Sequence, residues 1–532
     1  MKKHFFKTRL LSFAALCGTA LTFASCANED VAQNTIGTEG DNDKNLTTFV
    51  AGDEAKTRTS FGYNSSDFYW EAGDYIYVKD DDGVLRKSSN APDKKVASFK
   101  YKVPGKFIAH SSYRVYYFGK NSSNNQVVIP SAQSQSTPNN TEHFGVSGDY
   151  GTATATGTLG GKSFSFELEH QAAYLVFHPY VSNTLLQNCY LTKIEVSSDN
   201  DIASTYTLNA STGALQSAGV GAAADKEIIL STKGSGAYAN GFPLNTTTDN
   251  VSVNGAYMVI KPGTHTLRVR YWLKDVSTGI EGTVTKAFKA FNYDVNNYYD
   301  IDGNLNIRDY DGDHYYMWDA KEQYWKGHEW NLGGSQPTLS RYDAGGSVSK
   351  DYPQSNTDPR YYNEAFPNGL DDKAHFSCKD LPNANEMTWY AIKGDPHWDN
   401  DELWASMGHL YKGGMWFKKK AYISGFNASI GDDGTDWRKN AETDNVWPVS
   451  NTPLSAADAG KYFYLPALGY YDVSGSTGDR VGLISIGEVG YYWTSSPYWK
   501  DNVFAYFMIF SYDSVMLVPD GRYVGMSVGV FQ

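Results

Sequence analysis

Two clusters in the last quarter of the chain join a flat aromatic ring to hydrogen-bonding groups: Trp499-Lys500-Asp501-Asn502, and Trp437-Arg438 with Asn440. An indole lies well on the C–H face of a pyranose, and neighbouring amides and carboxylates can bond its hydroxyls. Trp499, Asp501, Asn502 and Trp437 are therefore the candidate ligand-binding residues, with a glycan or a surface protein as the expected ligand. Asp309, Asp311 and Asp313 alternate in the manner of a hard-cation loop. His314, however, stands where an EF-hand turn requires Gly, and Ala320 stands where its closing Glu belongs. The segment reads as solvated and acidic, and neither a metal nor another cofactor is expected. The chain carries no Gly-rich phosphate loop, His-Glu-x-x-His motif or Gly-x-Ser-x-Gly elbow, and nothing positions a Ser, His and Asp together, so no catalytic residue is assigned and a non-enzyme is expected.

Of four cysteines, Cys189 and Cys378 read as small buried apolar residues, and Cys17 falls in the N-terminal leader. Cys26 differs. Lys2, Lys3, Lys7 and Arg9 precede an apolar run from Leu10 to Phe23, which is the pattern of a secretory signal and too short for a finished membrane span. Phe23-Ala24-Ser25-Cys26 resembles a bacterial lipobox, which implies cleavage before Cys26 and a diacylglycerol on its thiol. The expected order is a leader over 1–25, lipidated Cys26 held at the outer membrane and exposed at the surface, and a flexible tether over 26–47. The net charge of −13 becomes −17 once the leader's four cations are removed, leaving 42 basic against 59 acidic residues. Such a surface repels phosphate backbones, and nucleic acid is excluded as a partner.

The candidate residues must be held by folded units. From 48 to about 305, short runs of β-branched and aromatic residues alternate with turn residues, as in Phe164-Ser165-Phe166-Glu167-Leu168-Glu169-His170 and Leu267-Arg268-Val269-Arg270-Tyr271-Trp272. These read as strands with one face buried. Of 13 tryptophans, only Trp70 and Trp272 precede residue 311, which points to a separate C-terminal unit after a linker over Asp300–Asn306. In that α+β unit, Asn383 and Glu386 predict a capped helix start, and a second helix is expected around Asn400 to Leu410.

Thr57-Arg58-Thr59-Ser60-Phe61, Phe68-Tyr69-Trp70-Glu71-Ala72-Gly73-Asp74, Ile129-Pro130-Ser131-Ala132-Gln133 and Ala173-Tyr174-Leu175-Val176-Phe177 occur in that order. Together they resemble the fimbrillin family of Bacteroides-type lipoproteins. The resemblance implies two transthyretin-like β-sandwich domains over 48–160 and 161–308. It also implies proteolytic removal of a first strand, Leu46–Ala51, with Arg58 as the cleavage point and nearby Lys56 as a rival basic site, and its replacement by a strand from another fimbrial subunit. Tyr464-Leu465-Pro466-Ala467-Leu468-Gly469-Tyr470, Gly490-Tyr491-Tyr492-Trp493-Thr494-Ser495-Ser496 and Arg522-Tyr523-Val524-Gly525-Met526-Ser527-Val528 resemble the bacterial major paralogous domain, which implies a C-type-lectin-like fold over 309–532. Gly529 stands where that family often carries Arg, and its paired cysteines are missing. The expected protein is mostly β. Because it ends in a bulky unit, it fits a fimbrial tip adhesin that accepts a strand and donates none. The alternative is a stand-alone glycan-binding surface lipoprotein that never polymerises.

Overall fold

Alternating apolar residues build the first sheet of this computed structural model, which describes residues 2–5, 45–52, 60–61, 68–121, 125–209, 212, 215–217, 223–310, 314–327, 329–332, 351–355, 357–358, 360, 374–440, 445–472 and 482–532. In chain order the principal strands are β1 (Leu46–Ala51), β2 (Tyr77–Lys79), β3 (Leu85–Lys87), β4 (Phe99–Pro104), β5 (Ser112–Tyr117), β6 (Gln126–Ile129), β7 (Ala132–Ser134), β8 (Gly151–Gly157) and β9 (Ser163–Phe166). The first sheet runs β3-β2-β5-β8-β9-β1-β4. Its ends approach each other: Ser89 N–H donates to Lys102 O at 2.7 Å, and Lys102 N–H donates to Asn90 Oδ1 at 2.6 Å. The sheet thus curls around one core, in which Phe49, Trp70, Tyr101, Tyr117 and Phe164 are fully buried.

The second unit comprises β10 (Ala173–Phe177), β11 (Cys189–Ser198), β12 (Ser204–Leu208), β13 (Glu227–Ser231), β14 (Ala256–Ile260), β15 (Gly263–Asp275), β16 (Glu281–Tyr293) and β17 (Asn297–Ile301). Every residue of β10, β14 and β17 is buried, as expected of a layer covered on both faces. The order β17-β10-β14 faces a larger sheet that begins β7-β13-β11-β15-β16. Phe177 meets Tyr271 edge to face between the layers, with centroids 6.0 Å apart. The backbone of Lys2–Phe5 lies antiparallel along the outer side of β17.

The expected boundary at Gly160 does not separate these units. β9 and Leu168, beyond it, complete the first core, whereas β6 and β7, before it, pair with β12 and β13 of the second unit. Tyr77, Tyr116 and Phe118 also join the second core. The reason is hydrogen-bond bookkeeping: strands that would be free edges in one unit find partners in the other. The linker expected over Asp300–Asn306 is likewise structural. Asp300 and Ile301 belong to β17, Leu305 is fully buried, and Asn304 bridges Tyr180.

Among the described residues, the third unit contains one helix of more than two turns, α1 (Ala384–Ile392), with β18 (His397–Ser406), β19 (His409–Lys418), β20 (Tyr462–Pro466), β21 (Gly490–Pro497), β22 (Phe504–Phe510) and β23 (Ser514–Gly521). The predicted cap is present: Glu386 N–H donates to Asn383 Oδ1 at 3.0 Å, and Asn383 N–H donates to Glu386 Oε2 at 3.0 Å. The second expected helix is instead the β18–β19 hairpin. Met407 and Gly408 form its turn with φ of 48° and 73°, the left-handed pair that matches strand twist. This hairpin and β20 extend the second unit's large sheet through a parallel contact of Thr283 with Glu402. β21, β22 and β23 form a separate sheet that packs against α1. Cys189 and Cys378 are buried and unbridged.

Candidate functional site

Three places in the molecule bear on function. The first is β1. It lies inside the first sheet, parallel to β9 and antiparallel to β4, with Phe49 opposite Phe164 and Tyr101 respectively. Thr47, Phe49 and Ala51 point into the core, so alternate residues set the register. The Phe49 ring stacks on Phe164 at 5.4 Å and meets Phe107 edge-on at 5.1 Å. Removing β1 would leave β9 and β4 unpaired along facing edges and an aromatic-walled slot between them. Arg58 and Cys26 lie outside the described residues, as do Asp311 and Asp313.

The second is the set of sequence-predicted ligand residues, which the structure treats unequally. Trp437 is 1% exposed; its Nε1–H donates to Asp433 Oδ2 at 3.0 Å, and its backbone N–H donates to Asn385 Oδ1 at 2.7 Å. A ring in the core presents no face to a sugar, so Trp437 is corrected to a packing residue. Arg438 beside it is occupied by Asp436, with Nε to Oδ1 at 2.8 Å. Trp499 is half-buried, with Lys500 Nζ 5.0 Å from its ring centre. Asp501 Oδ1 accepts the Val503 N–H at 3.0 Å and shapes the turn before β22. Asn502 lies in the same turn and is half-buried. Trp499, Asp501 and Asn502 therefore remain together on one loop.

The third place is the seam between the second and third units, and no residue in it was singled out from the sequence. Glu402 of β18 accepts Thr285 N–H at 2.9 Å, Thr285 Oγ1 at 2.6 Å and Thr283 Oγ1 at 3.0 Å. Burial, followed by the Asp399 carboxylate, outweighs these bonds and Arg270 and pushes the Glu402 carboxyl up to about 7. Arg270 Nη2 donates to Asp399 Oδ1 at 3.0 Å and to Thr283 Oγ1 at 3.1 Å. Two residues earlier on the same strand face, Arg268 Nη2 donates to Glu195 Oε1 at 3.0 Å, and its Nη1 donates to the Leu454 carbonyl. The one signal available in the sequence was the alternation of Leu267-Arg268-Val269-Arg270, whose cationic face read as wet. Among the described residues, no cluster of three or more His, Cys, Asp or Glu could hold a metal ion, and no helix is long and apolar enough to cross a membrane.

No family model matches the chain, and no curated protein matches it significantly. Among solved structures, it aligns with a fimbrial protein of Bacteroides ovatus over 91% of this chain and 98% of that one, at 12% identity and a TM-score of 0.22. A candidate cell adhesion protein of the same organism aligns over 48% of this chain and 91% of that one, at 14% identity and a TM-score of 0.31. The fimbrial anchor protein Mfa2 of Porphyromonas gingivalis aligns over 44% of this chain and 80% of that one, at 13% identity and a TM-score of 0.22.

Proposed function

We propose that this chain is a fimbrial subunit of the tip-adhesin kind. It is delivered to the outer surface as a lipoprotein on Cys26, loses β1 by cleavage at Arg58, accepts a replacement strand from a neighbouring subunit, and presents the third unit to a ligand. One observation carries this reading: β1 is an interior strand with both edges paired and alternate side chains buried, and a basic residue, Arg58, follows it closely in the chain. A strand in that position can be exchanged for another with the same alternation, because backbone groups supply the affinity and the buried positions fix the register. The aromatic walls around Phe49 would favour a donor with a large apolar residue at its centre. The solved structures reported above are described as fimbrial or adhesive, and the reading carries that setting to this chain.

N-terminal sequencing of the surface-assembled form tests it. A chain beginning at Thr59 is the expected result. Assembled material that still begins at Cys26 would overturn the reading and leave a stand-alone surface lipoprotein.

A further inference from the structure

The seam opens into a cleft of about 570 Å³ between β15–β16 of the second unit and the segment from Pro453 to Tyr462 of the third. Its volume falls within the range of small-molecule sites. Its charge runs against that of the protein. Arg268, Arg270, Lys289, Lys419 and Lys461 line it with Asp399 as the sole acidic lining residue, in a chain of net charge −13.

The two arginines are 6% and 5% exposed, and their inner ends are fixed by Glu195 and Asp399, so their positions are set before any ligand arrives. Each retains a buried Nε–H with no hydrogen-bond partner among the described residues, which is unused donor capacity in a residue that lines the cavity. Asp458 holds Lys461 at 2.8 Å, and the Gly460 carbonyl holds Lys419 at 3.3 Å, while Lys289 is exposed on β16. The remaining walls combine small apolar residues, such as Ala287, Ala456 and Ala459, with aromatic rings. Trp416 is half-buried and anchored by its Nε1–H to Asp399 Oδ2 at 3.2 Å; Phe288 and Tyr422 stand nearby. A flat indole fixed at one edge, among preset cations, suits a ring that has an apolar face and a carboxylate.

We infer that this interdomain cleft binds an acidic oligosaccharide, with the sugar carboxylate among Arg268, Arg270 and Lys289 and a pyranose face against Trp416. The site lies apart from the Trp499 loop, and it stands whether or not β1 is exchanged.

Calorimetric titration of the full-length mature chain with trigalacturonate, with neutral galactotriose and with hexaglutamate tests the inference. Trigalacturonate should bind, should weaken as salt is raised, and should lose about tenfold or more in affinity in both Lys289→Glu and Trp416→Ala, while Trp499→Ala leaves it unchanged. Lys289 is exposed, so Lys289→Glu should keep the fold, and an unchanged far-UV spectrum and melting point would confirm that its loss of binding is local. Equal binding of galactotriose, preference for hexaglutamate, absence of trigalacturonate binding, or unchanged affinity in Lys289→Glu would each overturn it.

Discussion

Around Phe49 the protein is held by rings, and around Glu402 by charges and hydroxyls. In the first sheet, Phe49, Phe107, Tyr113 and Phe164 interlock with centroids 5.0 to 6.4 Å apart and no ion pair among them. At the seam, Arg270, Asp399, Glu402 and the threonines at 283 and 285 bond across the two units, beside Leu403, which packs into the second unit's core. Dispersion and apolar burial do not depend on protonation, whereas a buried carboxyl does. The first region should thus be indifferent to pH and intolerant of volume change, and the second the reverse. A strand proposed to be exchanged and a joint proposed to hold a ligand call for these opposite chemistries.

The largest effect should come from volume. Phe49→Ala removes a fully buried ring and leaves a cavity among three aromatics, at an expected cost of about 3–5 kcal/mol by urea denaturation, with no change in that cost between pH 5 and 8. A cost below about 1 kcal/mol would mean that the site collapses freely, and the claim of a shaped slot would fail with it.

The next effect should come from protonation. Because the folded Glu402 carboxyl sits near 7, above its ordinary value, the seam favours the protonated form. That contribution is complete below about pH 4.5 and is lost as pH rises through 7, on the order of 3 kcal/mol. Glu402→Gln keeps an acceptor for Thr285 and cannot ionise. Its melting temperature should stay level between about pH 4.5 and 6.5, where the parent's falls, and should exceed the parent's above pH 7. Parallel profiles for the two proteins would remove Glu402 from the account and break the comparison.

Much of this was legible in the residues, and the failures share a cause. The alternation in Phe164-Ser165-Phe166 and the Asn383–Glu386 cap are local patterns, and both are found where they were expected. The Met407-Gly408 turn lacks the usual Asn-Gly signal, so the apolar residues between Trp398 and Leu410 could be taken for a helix face. Trp437 has polar neighbours in sequence, yet Asp433 and Asn385 turn inward to meet it. Arg268 and Arg270 alternate as a solvated strand face would, and only the third unit, more than a hundred residues away in the chain, buries them. Local spacing reveals which face of a strand is polar. It does not reveal what covers that face.

The smallest effect places a charged contact inside the apolar kind of surroundings and asks which chemistry governs there. His178 follows β10 at the edge of the second unit's fully buried layer, with Nδ1 2.6 Å from Asp249 Oδ1 and Nε2 3.4 Å from Asp300 Oδ1. Burial alone would push the imidazole down, but Asp300 and Asp249 outweigh it and hold it above its ordinary value. Its contribution is therefore complete below about pH 6.5, the unfolded value, and fades as pH rises through the higher folded one. Solvent around Asp249, whose side chain is 59% exposed, screens the pair and keeps the effect small. Glu402 and His178 thus tilt stability in the same direction over adjacent pH windows, one starting near 4.5 and the other near 6.5. His178→Gln should flatten only the upper part of the profile, and the double variant with Glu402→Gln should flatten both parts additively, since the two sites share no bonded partner. If His178→Gln leaves the slope above pH 6.5 intact, packing governs that layer as it governs Phe49, and pH sensitivity is confined to the seam.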